Sequence, residues 1–213
     1  MAEPVDVDQQ YTLTRINADW RAVHQATLLF VINDGNVLLI RKKRGLGAGK
    51  INGPGGKLDE HETPRQCAIR EVSEELCIDA IDPQARGELK FQFVDGYSIH
   101  VHVFVSRQYR GQPTETDEAI PLWFPISLVP YGEMWADDAV WLPEVLAGSS
   151  VDGRFVFEED KLLEYEVVFA ECDFRPSFCQ PGFVMPSLRI NTFASVIHKI
   201  NICVLTKQSS PGK

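Results

Sequence analysis

The sequence has no long apolar run. Stretches such as residues 28–32 are strand-sized, far short of the roughly 20 apolar residues a membrane helix needs. Residues 1–10 are acidic and lack the apolar stretch of a secretory signal, so an intracellular, cytoplasmic protein is expected. Cysteine is sparse and irregularly spaced. Cys67, Cys77, Cys172, Cys179 and Cys203 form an odd set that fits neither a disulfide framework nor a zinc motif, and they read as free thiols in a reducing compartment. Basic residues are in deficit: 21 Lys and Arg stand against 30 Asp and Glu, a formal net charge of −9. That excludes a nucleic acid polymer as partner, since phosphate backbones are bound through Lys and Arg. A small anionic substrate stays open, provided a divalent cation mediates the contact. No internal repeat is present.

What is present is the material of one buried core, with length to spare for extensions: 213 residues, 44% hydrophobic and 24% charged. Apolar and β-branched runs at residues 26–32 and 37–40 flank Asn33-Asp34-Gly35-Asn36, which is hairpin chemistry. Residues 45–56 are rich in glycine, and a helix is expected over 64–76. Strands are expected at 90–94 and 99–105, joined at Asp95-Gly96, and a short apolar run covers 122–126. A second helix is expected over 137–146 and a final hairpin from 155–157 and 162–169. Strands mixed with two helices imply an α/β or α+β sandwich. Residues 1–25 read as a loosely attached extension, although Trp20 is suited to pack on the body. Residues 170–213 carry +3 and leave −12 to the rest; within them, 193–205 are apolar enough to dock or to form a helix.

The chemistry concentrates on the first helix. Thr63 suits the N-cap, Pro64 the first helical position, and Gln66 completes a capping box. Ile69, Val72 and Leu76 give an apolar stripe. Glu71, Glu74 and Glu75 crowd one face near the helix C-terminus, where like charges repel and the helix dipole disfavours them by roughly 0.3–1 kcal/mol each. A divalent cation would reverse both effects, with Mg2+ the natural choice for hard oxygen ligands. The three glutamates alone read rather as a solvated acidic face.

The spacing of the whole stretch goes further. Gly56, five residues, Glu62, seven residues, then Arg70-Glu71-Val72-Ser73-Glu74-Glu75 resembles the Nudix box, a 23-residue signature. Cys77 stands where that family has a helix-ending glycine. The resemblance implies a Nudix-type α/β/α sandwich with a mixed central sheet and a loop–helix site. It implies that Glu71, Glu74 and Glu75 bind Mg2+, with Mn2+ as an alternative, and that Glu75 or Glu74 helps deprotonate the attacking water. Arg70 would hold a glutamate in place and pair with Glu62, while Gly55 and Gly56 would let the backbone approach the phosphates.

Flanking segments add detail. Residues 42–53, Val101-His102-Val103-Phe104 and Met134-Trp135-Ala136-Asp137-Asp138 resemble the animal-type 8-oxo-dGTP diphosphatases of that family, over about residues 27–169. The resemblance implies a purine pocket in which Trp135 stacks on the base, Asp137 and Asp138 read its edge with Asn52 opposite, and Thr27, Lys42 and Phe91 line the site. Glu118 matches a further acidic residue near the metal. Adjacent aspartates on one ligand should titrate as a pair, one holding its proton. Taken alone, Trp135 also fits a core residue and Asp137 an N-cap. Leu46 and Pro54 replace aromatics common in the family, and His100 and His102 read as half-exposed sheet residues.

The expectation is therefore a monomeric Nudix domain over residues 26–169 between two extensions. It would hydrolyse oxidised purine nucleoside triphosphates, such as 8-oxo-dGTP and 2-hydroxy-dATP, to monophosphate and pyrophosphate. The alternatives are another diphosphate-linked substrate (a methylated purine triphosphate, a dinucleoside polyphosphate, a nucleotide sugar) or a catalytically silent nucleotide sensor.

Overall fold

Strand alternation and two amphipathic helices generate the layers. The computed structural model describes residues 12–170 and 202–207. Strands β1 (His24–Asn33) and β2 (Asn36–Lys42) pair antiparallel. Asp34 and Gly35 both take positive φ between them, the turn whose twist matches that of the flanking strands. Strand β3 (Ile51–Asn52) follows the glycine-rich turn and precedes helix α1 (Pro64–Leu76). Next come β4 (Ile78–Ile81), β5 (Gln84–Phe93), β6 (Ser98–Ser106), β7 (Gln108–Gly111) and β8 (Ala119–Pro125). Helix α2 (Asp138–Ala147) leads to β9 (Ser150–Glu158), β10 (Lys161–Ala170) and β11 (Ile202–Lys207).

The main sheet runs β11-β10-β9-β5-β6-β1-β2-β3, with β8 also paired to β2. Strands β1 with β6 and β5 with β9 are parallel and the other pairs antiparallel, so the sheet is mixed. Strands β4 and β7 form a small separate ladder. Helix α1 covers one face, where Ala68, Val72 and Leu76 meet Leu29, Val31, Leu38 and Ile40. Helix α2 covers the other, where Trp141, Leu142 and Val145 meet Phe30, Val37, Leu39 and Phe155. This helix–sheet–helix arrangement is the expected α+β sandwich. Among the described residues, no helix is long and apolar enough to cross a membrane.

Several expectations shift. The stripe of α1 that enters the core is Ala68, Val72 and Leu76, with Ile69 only half-buried; an alanine on the inner line brings the helix close to the sheet. Strands β5 and β9 begin earlier than their apolar residues suggest, because glycine interrupts the pattern. A Cβ on Gly87 would lie 1.7 Å from the Val151 carbonyl oxygen, and Gly153 leaves room for the Phe155 ring. Residues 193–201 lie outside the described residues, but 202–205 belong to strand β11 on the edge of β10 rather than to a helix. In the N-terminal segment, Trp20 packs on the body as anticipated: its Nε1 donates to Gln92 Oε1 at 3.0 Å.

Candidate active site

The site forms where a glycine-rich loop is pressed between β1 and α1. Thr27 and Leu29 donate their backbone N–H to the carbonyls of Gly56 (2.8 Å) and Pro54 (2.9 Å), so the loop runs alongside β1. The fit leaves no space for side chains. A Cβ on Gly55 would sit 2.0 Å from the Thr27 carbonyl oxygen, and one on Gly56 would strike the Glu71 carboxyl group at 2.3 Å. Glycine at 56 is therefore what lets the Glu71 carboxylate reach the loop.

Helix α1 is fixed at both ends. The capping box of Thr63 and Gln66 forms as expected, and Cys77 terminates the helix in the left-handed conformation at φ 57°. Along its length Arg70 gathers the acids. Its Nε and Nη2 donate to the two oxygens of Glu62, both at 2.8 Å, and its Nη1 donates to Glu71 (2.8 Å) and Glu74 (3.0 Å). The two-pronged bond to Arg70 pulls the Glu62 carboxyl down to about 2.

Glu75 is buried, its side chain 1% exposed. The Gly55 N–H donates to its Oε2 at 2.8 Å, and Lys42 Nζ approaches its Oε1 at 3.5 Å. Burial outweighs both contacts and pushes the carboxyl up to about 7. Glu71 is raised too, by burial first and with the charge of Glu74 adding to it, against the opposing pull of Arg70.

Glu71 and Glu75 open into one cavity of about 570 Å³, across which lies Glu118, paired with Arg44. These donors are all hard oxygens and the two glutamates are desolvated. That chemistry fits a Mg2+-type cation rather than a thiophilic one. Glu74 stands outside the cavity, more than half exposed, as does Arg70.

The far end of the same cavity is built from β5, β6 and the segment before α2. Trp135 is partly buried, edge-on to Phe157 at 5.9 Å, with Lys50 Nζ 5.0 Å from its ring centre. Gly47 packs so closely that a Cβ there would lie 2.9 Å from the indole nitrogen and 3.4 Å from Asn52 Nδ2. Asp137 and Asp138 are both buried. Asp137 occupies the N-cap position of α2 but makes no capping bond; its Oδ2 accepts from Trp141 Nε1 at 2.8 Å. Asp138 Oδ2 accepts from the Trp135 backbone N–H at 3.1 Å. Burial pushes Asp137 up to about 6. Burial and then the neighbouring Asp137 charge push Asp138 well above the usual carboxylate range, and adjacent carboxyls of this kind titrate as a pair.

Thr27, Lys42, Asn52, Gly55, Gly56, Phe91, Trp135, Asp137 and Asp138 thus line the same cavity as Glu71, Glu75 and Glu118. Thr27 is buried, its hydroxyl 3.4 Å from Cys67 Sγ. The sequence reading missed Phe93, Tyr97, Ile99, Val101 and Phe157, which complete the apolar wall. The period-2 alternation of Phe91 with Phe93 and of Ile99 with Val101 was the available signal. Leu46 lines the mouth with 55% exposure, while Pro54 is buried beneath the loop.

Residues 22–145 match the NUDIX domain family. The chain is 41% identical over 143 residues to the oxidized purine nucleoside triphosphate hydrolase of Danio rerio, covering 66% of this chain and 92% of that one. It is 38% identical over 143 residues to the Mus musculus protein of the same name, with the same coverage. Among solved structures, a MutT protein from Bacillus halodurans superimposes with a TM-score of 0.62 at 25% identity, covering 68% of this chain and 97% of that one.

Proposed function

This chain belongs to the Nudix family, and on that footing we propose that it hydrolyses oxidised purine nucleoside triphosphates, of the 8-oxo-dGTP and 2-hydroxy-dATP kind, to monophosphate and pyrophosphate. The observation that carries the reading is the continuity of the cavity. Desolvated carboxylates (Glu71, Glu75) stand at one end and an indole beside two buried aspartates (Trp135, Asp137, Asp138) at the other. The named hydrolases of Danio rerio and Mus musculus support the substrate class.

In this reading Glu71 and Glu75 hold the cation, with Glu74 and Glu118 completing its acidic surroundings. Mg2+, or Mn2+ in its place, supplies neutralisation of phosphate charge and a lower pKa for water at the site. Water adds to a phosphorus of the diphosphate linkage and the P–O–P bond breaks. Glu75, whose buried carboxylate faces the same cavity, accepts the proton; Glu74 is the weaker candidate because it stands outside the cavity. Arg70 acts through the carboxylates it orients, Glu62 anchors Arg70, and Lys42 places a cation where phosphate oxygens enter. Gly55 and Gly56 keep the loop thin enough for that approach.

At the base end Trp135 offers a stacking face, a contact of about 1–3 kcal/mol. A protonated Asp138 donates and an ionised Asp137 accepts, Asn52 meets the base from the other side, and Thr27 and Phe91 shape the wall. A carboxyl pair that can exchange donor and acceptor roles suits purines whose edges differ. The catalytic unit in this reading is residues 26–169, acting as a cytoplasmic monomer, with 1–25 and 170–213 as extensions.

The test is Mg2+-dependent release of pyrophosphate from 8-oxo-dGTP by the wild type and by Glu75→Gln. The variant should retain its fold and lose about 10²–10⁴-fold in kcat, the usual worth of a general base. Full activity in the variant would remove Glu75 from the reaction, and no turnover of 8-oxo-dGTP by the wild type would remove the oxidised-purine reading and leave another diphosphate-linked substrate for the family.

A further inference from the structure

The proposed reaction leaves one cluster of side chains unused. Phe91 on β5 and Ile99 and Val101 on β6 face the cavity. The residues alternating with them face the other side of the sheet. There Glu88 lies directly across from His102 in the β5–β6 ladder, and His100 lies two residues along the same strand. His100 Nε2 is 2.9 Å from Glu88 Oε2, and His102 Nδ1 is 3.6 Å from Glu88 Oε1. The imidazole rings sit side by side with centres 4.6 Å apart. One donor atom from each of the three side chains lies within 4.8 Å of the others.

We propose that Glu88, His100 and His102 form a second metal site, selective for a borderline transition-metal cation of the Zn2+ type and separate from the glutamates of α1.

The spacing suits such an ion. Ligand bonds of about 2.0–2.1 Å in a tetrahedral arrangement put donor atoms roughly 3.3 Å apart, and the nitrogen–oxygen separations of 2.9 and 3.6 Å, each to a different oxygen of Glu88, lie close to that value. The donor set is two imidazole nitrogens and one carboxylate, which favours Zn2+ over Mg2+. Histidine at alternate positions of a strand supplies two ligands from one rigid backbone, and the cross-strand glutamate supplies the third.

The surroundings leave the cluster available. Lys90 shares this face and stands opposite His100, but its Nζ donates to Asp152 at 3.2 Å. Gln25 Oε1 lies 3.4 Å from His102 Nε2, a partner able to fix the ring from its far side while Nδ1 faces Glu88. A second cavity of about 500 Å³ borders His100 beneath the N-terminal segment. Trp20 roofs that cavity, its ring centre 6.3 Å from that of His100. Metal held here ties β5 to β6 and steadies the ring on which the segment rests.

Calorimetric titration of the full chain with ZnCl2, in excess Mg2+ and near neutral pH, tests this. The wild type should bind one Zn2+ at this site and melt at a higher temperature when loaded. His100→Gln/His102→Gln should bind at least about tenfold more weakly, given that losing even a supporting partner of a ligand costs 10–100-fold, and its melting temperature should not respond to zinc. Glu71→Gln/Glu75→Gln should bind zinc as the wild type does. Zinc binding unchanged in the histidine variant overturns the proposal, because the metal would then sit on thiols or on the glutamates of α1. If the histidine variant does not fold, Glu88→Gln takes its place with the same criteria, and the visible spectrum of the Co2+-loaded wild type decides independently. Four-coordinate bands without thiolate charge transfer support the site; six-coordinate or thiolate bands overturn it.

Discussion

At Asp137 and Asp138, burial and adjacency raise two carboxyl groups in the same direction. Asp137 is held up to about 6, against an ordinary value of 3.8. A carboxyl raised in the folded state stabilises the fold fully below its unfolded pKa, and that stability drains away as pH rises through its folded pKa. The window for Asp137 therefore runs from about 4 to about 6. Asp137→Asn cannot titrate, yet its amide oxygen can still accept from Trp141 Nε1, the bond Asp137 makes now. The stability of Asp137→Asn relative to wild type should become more favourable as pH rises across that window. Thermal melts at several pH values check this, and a difference that stays flat, or that favours the wild type as pH rises, contradicts it. Glu62 has the opposite sign. Its carboxyl is lowered to about 2, so its contribution is present above its ordinary range and is lost as pH falls toward that value.

At the scale of elements, α1 was the most legible part of the sequence, because its cap, its charge cluster and its approach loop are all local features. Thr63 and Gln66 cap it, Arg70 collects Glu62, Glu71 and Glu74, and Cys77 ends it, each at the position the sequence marks. What was not legible depends on long-range contact. Ala68 enters the core in preference to Ile69 because of the sheet beneath it. The early halves of β5 and β9 are hidden by Gly87 and Gly153, whose missing side chains make room for the neighbouring strand and ring. Strands β4 and β7 are four residues each and partly polar, and they are strands only because they pair with each other. In the site, the apolar wall contributed by Phe93, Tyr97, Ile99 and Phe157 requires three strands brought together, so no single segment announces it. The local logic also yields a prediction at the end of α1. Cys77 holds φ 57° with an exposed side chain, a conformation that costs a residue with a Cβ about 1–2 kcal/mol. Cys77→Gly should relieve part of that and raise Tm by about 2–4 °C for each kcal/mol regained, with kcat unchanged. A fall in Tm on thermal unfolding would contradict it.

For the whole molecule, the sheet extends past the segment that resembles the family. Strand β11 pairs with β10 over Tyr165 to Ala170, and Leu205 packs against the larger core cluster. The compositional break at residue 170 marks an extension with residues apolar enough to dock, and part of it, strand β11, adds to the sheet edge at β10. Removing residues 171–213 should therefore lower Tm by several degrees, since an edge strand and its apolar contact are lost. It should leave kcat intact, because the described lining of the catalytic cavity lies between Ala26 and Phe157. Melting curves and steady-state rates on the truncated chain check both parts, and a collapse of activity in a chain that still folds would show that the tail takes part in catalysis.

The acidic whole, at −9, gives no reason to attract a polyanion, and in the proposed reading binding comes from the local arrangement of cation, loop and pocket. The most direct test of that arrangement is the initial rate of pyrophosphate release with Mg2+ for 8-oxo-dGTP, 2-hydroxy-dATP, dGTP and dATP under identical conditions. The pocket of Trp135, Asp137, Asp138 and Asn52 predicts higher kcat/KM for both oxidised nucleotides than for their ordinary counterparts. Equal rates for oxidised and ordinary bases would contradict it.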